Sequence, residues 1–150
     1  MTGCVFCSIA ADNSPAHRLY ENANTLAFLD IEPATRGHTL VIPKQHYETI
    51  TDAPEGIVEA VFRTVRRVAV TLESVYEPDG VNIVQSNNMI AGQEVFHAHV
   101  HVIPRYEDDD IALSWIPEDI DKAEQQKIAT RIRNELDSCL RSICALCLPQ

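Results

Sequence analysis

A chain of 150 residues, 45% hydrophobic and 23% charged, has the length and balance of one globular domain with a real core. Its net charge of −10 argues against non-specific nucleic-acid binding, which needs a basic surface, while leaving room for a small anionic ligand held by local donors. No apolar run approaches the ~20 residues needed to cross a bilayer, and Met1-Thr2-Gly3-Cys4 lacks the basic-then-apolar pattern of a secretion signal, so no membrane partner and a cytoplasmic location are expected.

The chain opens with Cys4-Val5-Phe6-Cys7, a pair with metal-ligand spacing, followed by a short helical or turn segment to Ala11. Five cysteines, an odd number, do not suit a secreted disulfide framework. Residues 17–20 and 25–29 read as strands joined by a turn at Asn22-Ala23-Asn24. Residues 31–37 read as a loop, and 39–42 as a buried strand stopped by Pro43. A long helix follows. Asp52 is its expected cap, Pro54 and Glu55 suit its first turn, and Ile57, Val58, Val61, Phe62, Val65, Val68, Ala69 and Leu72 form its apolar stripe. Glu77-Pro78-Asp79-Gly80 ends it. Residues 81–85 form a strand, 86–92 a polar loop, and 95–103 a second strand that pairs with the first.

From Pro117 to about residue 147 the pattern is helical again. At 1.5 Å per residue such a helix spans roughly 42 Å, so it is expected to break or to pack on a partner chain. Cys144-Ala145-Leu146-Cys147 repeats the first cysteine spacing here. Ile143, Leu146 and Cys147 share a stripe, so these thiols, with Cys139, read as small buried groups. The element order predicts a single α+β domain over 1–150, an antiparallel sheet of about five strands with two main helices on one face.

His97, His99 and His101 alternate with Ala98, Val100 and Val102. On a strand the three imidazoles share one face, about 7 Å apart, and Phe96, Ala98, Val100 and Val102 face the core. One ion bound by all three is geometrically poor, because the outer pair would stand about 13 Å apart. Two of them with a third ligand could make a catalytic zinc site. The other option is nucleophilic catalysis by the middle residue. If His99 Nδ1–H bonds to a backbone carbonyl, Nε2 keeps its lone pair, and an imidazole attacks phosphorus well. The sequence contains no GxGxxG, GxxxxGK[ST] or GxSxG signature.

His97-Ala98-His99-Val100-His101-Val102-Ile103 resembles the signature of the histidine triad (HIT) family. Phe28-Leu29-Asp30-Ile31 and the stretch from Gly37 to His46 resemble its nucleoside-pocket segments. Gly80 to Gln85, followed by Ala91-Gly92-Gln93, is similar to its phosphate-loop approach, and Ile103-Pro104-Arg105-Tyr106 to a continuation common in bacterial-type members.

The resemblance implies a HIT-like sheet extended across a homodimer that pairs through the helix after residue 53 and adjoining strands. It makes His99 the nucleophile that takes a nucleoside 5′-phosphoryl group. His101 would assist the leaving group, with His97 as the first triad member and His38 nearby. Asn87 and Gln93 would contact the phosphate and Asp30 the ribose hydroxyls, while Phe6, Ile9, Phe28, Ile31 and Leu40 would line the base pocket. Glu94 stands where members often carry Ser or Thr; ionised, it cannot donate to phosphate, though its backbone N–H can. Asn88 stands where Gly is common, at a position that favours positive φ.

The implied substrate is a purine nucleotide derivative: a phosphoramidate, an adenylylated amine or a dinucleoside polyphosphate, hydrolysed by water. The implied cofactor is a structural zinc on Cys4, Cys7, His46 and His97, pinning the N-terminus and the first triad histidine. Two alternatives stand beside this reading: a non-catalytic nucleotide-binding or interaction protein, and a zinc-dependent hydrolase using the histidine strand as ligands.

Overall fold

Five strands form one antiparallel sheet: β1 (Arg18–Glu21), β2 (Thr25–Leu29), β3 (Thr39–Pro43), β4 (Gly80–Val84) and β5 (Val100–Arg105). Their order in space is β1-β2-β3-β5-β4, so β5 lies between β3 and the edge strand β4. The computed structural model describes residues 3–114 and 116–146, with side chains described as far as residue 136. Its contacts divide the chain into two compact units, residues 1–111 and 112–150, where the sequence predicts one domain.

Local chemistry explains the strands. β2 and β3 are β-branched or apolar nearly throughout, and both are buried on both faces. The β1–β2 turn is closed by Asn22, whose Oδ1 accepts the N–H groups of Asn24 and Thr25 at 2.9 Å each. β4 and β5 pair antiparallel from Gly80↔Arg105 to Val84↔His101, as the sequence predicts.

The sheet is covered on both faces, and this corrects the expectation of helices on one face only. On one side α2 (Glu55–Tyr76) packs Val61, Val65, Val68 and Leu72 against Ala27, Val41, Val100 and Val102. Each buried Val or Leu side chain here contributes roughly 1.5–3 kcal/mol. On the other side the short α1 (Val5–Ala10) inserts Phe6 and Ile9 among Leu26, Phe28, Leu40 and Ile42. Periodicity cannot assign a six-residue helix to a face, because fewer than two turns define no stripe, and Val5 and Ala10 are as apolar as the buried Phe6 and Ile9.

The start of α2 also differs. Asp52 is not its cap: the carboxylate accepts the Thr49 N–H at 3.0 Å and the Thr49 hydroxyl at 2.6 Å, closing a turn ahead of the helix. Pro54 is the N-cap, and its carbonyl accepts the N–H groups of Ile57 and Val58. Phe62, placed on the stripe, is 39% exposed. The predicted end holds. Glu77 adopts φ 46° and ψ 50°, and its N–H returns to the Glu73 carbonyl.

Gly37 is required where it stands. Its φ is +90°, and a Cβ there would lie 2.8 Å from a ring carbon of Tyr76 on α2. The close approach seats the loop that carries His38.

In the second unit α3 spans Lys122–Leu146, starting later than the predicted residue 117. Asp121 explains the shift, because its Oδ1 accepts the Glu124 N–H at 2.9 Å as a capping carboxylate. Ile120 therefore falls outside the helix. The side chains of Cys139 and Cys144, and Cys147 itself, lie outside the described residues. Among the described residues no helix is long and apolar enough to cross a membrane.

Candidate active site

The histidine segment is a strand only in its second half. The His97 N–H turns back to the Val95 carbonyl at 2.8 Å, and the Ala98 N–H bonds to the Tyr47 carbonyl at 2.6 Å. That tight turn breaks the alternation predicted from residue 95. Phe96, expected in the core, is consequently 43% exposed, while Ala98, Val100 and Val102 are buried as expected. His101 lies opposite Leu40 on β3, which places it on the sheet face covered by α1.

Each triad histidine has its own partner. His97 donates Nε2–H to the Pro43 carbonyl at 2.8 Å, so its Nδ1 lone pair is free. That Nδ1 lies 3.4 Å from Cys4 Sγ and 3.5 Å from Cys7 Sγ, and Cys7 Sγ is 3.3 Å from His46 Nδ1. His99 donates Nδ1–H to the His97 carbonyl at 2.7 Å, leaving Nε2 with an unshared pair. His99 is buried, its ring centroid lies 5.0 Å from that of His101, and the Phe6 ring meets it edge-on at 5.3 Å. Among the described residues the three rings do not form one ligand group: His97 falls with Cys4, Cys7 and His46, and His101 with Asp30 and His38.

His101 belongs to a second group with Asp30 and His38. The Ala34 N–H donates to His38 Nδ1 at 3.0 Å, so His38 carries its proton on Nε2. That Nε2–H donates to His101 Nδ1 at 2.9 Å, which leaves the His101 proton on Nε2. Asp30 Oδ2 lies 3.5 Å from His38 Nε2 and 3.8 Å from His101 Nδ1. These three atoms are close enough together to face a metal ion. The tautomer argues otherwise, because the His38 nitrogen that would bind the ion holds a proton.

Burial is the main reason His97, His101 and His38 favour the neutral form. It pushes His97 down to about 4, against a hydrogen bond to the Pro43 carbonyl that favours the charged form. His101 is also lowered to about 4, by burial first, then by the like charges of His99 and His38, with Asp30 opposing. His38 is lowered by burial against the pull of Asp30.

A stability profile follows with a definite sign. The unfolded chain binds these protons near the ordinary value of 6.5, whereas folded His101 binds its proton near 4. Stability is full above about pH 6.5 and falls as the pH drops toward 4, by about 1–3 kcal/mol for His101. Urea midpoints at pH 7.5 and pH 5 check this. The drop is expected to be smaller in His101→Asn, and an equal drop in both proteins would contradict it.

The other expected site residues fall into two groups. Phe6, Ile9, Phe28 and Leu40 lie together in the core beneath α1, whereas Ile31 is 95% exposed in the loop after β2. Gln93 is buried, with its amide held by main-chain groups: Oε1 accepts the Asn88 N–H at 2.7 Å, and Nε2 donates to the carbonyls of Glu48 and Val95. Asn87 Oδ1 accepts the Ile50 N–H and the Gln85 side-chain amide, each near 3 Å. Both amides brace the loop that leads to His97. Glu94 is exposed on that loop.

Asn88 has φ 69° and ψ 158°, a positive φ as the sequence suggests but outside the left-handed helical well. This region is strained for any residue but glycine. Asn88→Gly is expected to raise stability by about 1 kcal/mol, read from the denaturation midpoint; an unchanged or lower midpoint would count against strain there.

Sequence reasoning missed the Ala34 amide, the Pro43 carbonyl and the dual contact of Phe6 with His97 and His99. The first two are backbone groups, for which no side-chain pattern gives a signal.

Cys4, Cys7, His46 and His97 offer four ligand atoms within 4.8 Å of one another. Two thiols and two imidazoles make a tetrahedral zinc donor set, and the His97 Nε2–H bond to a carbonyl is the outer contact that orients such a ligand. The donor chemistry therefore fits zinc.

The HIT domain pattern matches residues 11–108. The chain is 38% identical over 138 residues to the Protein hit of Bacillus subtilis, covering 90% of this chain and 95% of that one. It is 35% identical to an adenylylsulfatase of Arabidopsis thaliana, covering 95% of this chain and 71% of the relative. A zinc-bound histidine triad family protein from Mycobacterium smegmatis is similar in structure, with a TM-score of 0.70, 39% identity, and coverage of 91% of this chain and 97% of that one. The matched pattern contains all three triad histidines and the five strands of the sheet, and with these relatives it shows that the chain belongs to the HIT family.

Proposed function

We propose that this chain hydrolyses a nucleoside 5′-phosphoryl derivative through a covalent nucleotidyl intermediate on His99. The observation that carries this reading is the His99 Nδ1–H bond to the His97 carbonyl at 2.7 Å, which fixes the tautomer with a free Nε2. His99 Nε2 attacks the α-phosphorus, the leaving group departs with a proton, and water then releases the nucleoside monophosphate. The similarity to an adenylylsulfatase supports an adenylyl group as the transferred unit.

His101 supplies the donor. Its Nδ1 accepts from His38, so its Nε2–H is available to a phosphoryl oxygen or the leaving atom. An anionic phosphoryl group bound beside it raises its proton affinity above that of the free site. Asp30 would hold the ribose hydroxyls from beside the His38–His101 pair. Phe6, Phe28 and Leu40, with Ile9 behind and Ile31 at the rim, would shape the base pocket. Gln93 and Asn87 would act mainly by bracing the phosphate loop, since their amides are engaged with the chain. Backbone N–H groups of that loop, including that of Glu94, would meet the phosphate.

Cys4, Cys7, His46 and His97 would hold one structural zinc. When bound, the ion supplies cross-linking and charge neutralisation for the thiolates, and no step of the transfer uses it. The free Nε2 of His99 and the separate partners of the three histidines favour this over a zinc hydrolase.

The deciding test is acid quench of the protein during turnover of adenosine 5′-phosphoramidate, followed by peptide mass mapping. An adenylyl adduct on His99 is expected. Tight adenosine monophosphate binding without adduct or turnover would instead support a non-catalytic nucleotide-binding protein.

The chain would pair with a second copy through α2 and the edge strand β4, where Phe62, Val70, Val75 and Ile83 are exposed apolar groups. Sedimentation at micromolar concentration should give a dimer, and a 16.8 kDa species would refute it.

A further inference from the structure

Two routes connect the Cys4–Cys7 pair to His99. One runs through His97. Its Nδ1 lies 3.4 Å and 3.5 Å from the two sulfurs, and its carbonyl accepts the His99 Nδ1–H at 2.7 Å. The other runs through Phe6, which lies between the cysteines in the chain. Its ring meets His97 edge-on at 5.9 Å and His99 at 5.3 Å. Helix α1, which carries Phe6, has six residues and cannot stand alone. Its anchors are the core contacts of Phe6 and Ile9 and the two sulfurs at its N-terminal turn.

The sulfurs suit pairing. Cys4 is the N-cap of α1, and its Sγ accepts the Cys7 N–H at 3.4 Å. The two Sγ atoms lie within 4.8 Å of each other, within reach of the ~2.0 Å bond of a disulfide by side-chain rotation. Both cysteines are half-buried, so a small oxidant reaches them.

We infer that the Cys4–Cys7 pair is an oxidation site for hydroperoxides, and that its oxidation releases the metal and, through His97 and Phe6, disarms His99. The inference rests on the zinc reading for the ion, and on the proposed hydrolysis only for the turnover readout. One thiolate sulfur attacks a peroxide oxygen; an S–O bond forms, the O–O bond breaks, and hydroxide leaves to take a proton. The second sulfur attacks the sulfenic sulfur; an S–S bond forms, the S–O bond breaks, and hydroxide leaves to take another proton. The two sulfurs give two electrons, hydrogen peroxide becomes two waters, and zinc(II) departs unchanged. His97 Nδ1 then loses its partner, and α1 loses the anchor at its first turn.

The test uses the full-length chain with Cys139→Ser, Cys144→Ser and Cys147→Ser, loaded with zinc and treated with hydrogen peroxide. A chromophoric chelator follows zinc, peptide mass mapping follows the disulfide, and imidazole ¹⁵N resonances follow the His99 tautomer. One zinc is expected to leave per Cys4–Cys7 disulfide. The single Nδ1–H signature of His99 should be lost with helical circular dichroism retained, and turnover should fall about tenfold or more. A thiol reductant with added zinc should restore all of these. Zinc that stays bound, or a disulfide that leaves the His99 signature unchanged, would overturn the inference. A chain that holds no zinc before peroxide is added fails the metal reading at that step and overturns the inference with it. Failure of the substrate reading alone would show as absent turnover before oxidation, with zinc release and tautomer still responding.

Discussion

His99→Ala is expected to reduce turnover of adenosine 5′-phosphoramidate by about 10³-fold or more while leaving adenosine monophosphate binding largely intact. The reason is a division of labour in the site. Among the three triad rings, His99 has its tautomer held by the main chain while its unshared pair is engaged by neither the sulfurs nor a neighbouring histidine. His97 cannot replace it, because its Nε2 is tied to Pro43 and its Nδ1 faces the two sulfurs. The His101 Nδ1 is likewise occupied by His38. The segments expected to hold base and ribose come from α1, β2 and β3 and do not depend on the His99 ring for their position. His101→Ala is expected to cost less, about 10²-fold, since it removes a proton donor and keeps the nucleophile. Steady-state kinetics and calorimetric titration of the monophosphate separate the two effects. If His99→Ala keeps more than a few per cent of turnover, the nucleophile lies elsewhere.

Zinc removal is expected to have the largest effect on stability. Four ligand atoms join α1, the segment after β3 and the turn before β5, which are distant in sequence. Metal binding to such a set in the folded state alone adds directly to folding free energy. Stripping the ion with a chelator should lower Tm by about 10 °C or more, corresponding to several kcal/mol for a domain of this size. Cys7→Ser should match this, because Cys7 Sγ faces both imidazoles. Metal analysis and scanning calorimetry, with and without chelator, check both. Less than about a tenth of an equivalent of zinc after zinc-replete expression would remove the site. Stripped protein should keep measurable turnover, reduced in step with its loosened His97, whereas a catalytic ion would take all turnover with it.

The elements were largely legible in the sequence. Short apolar and β-branched runs bounded by turn residues marked β2, β3 and β4, and the 3.6-residue stripe marked α2. The Asn22 turn and the stop at Glu77-Pro78 rest on contacts within a few residues, so they read correctly. Errors arose where a local signal had a competing partner. Asp52 has the chemistry of a cap, but the Thr49 amide and hydroxyl claim its carboxylate. The helical pattern read from Pro117 gave way to a start at Lys122, where the Asp121 carboxylate accepts the Glu124 N–H. Phe96 fits an alternating strand until the His97 N–H turns back to Val95.

The run of three histidines and their order were determined by the sequence, because alternation of imidazole and apolar side chains is a period-two property of a few consecutive residues. What the chain around it does was decided only by tertiary structure. Ala34, His38 and His101 set one another's protons across 67 residues, and Cys4 meets His97 across 93. Such pairings depend on sheet order and register, above all the placement of β5 between β3 and β4, which no local pattern encodes. The same holds for α1. Its six residues carry too little periodicity to choose a face, and only closure of the sheet beneath Phe6 and Ile9 places it against the histidines.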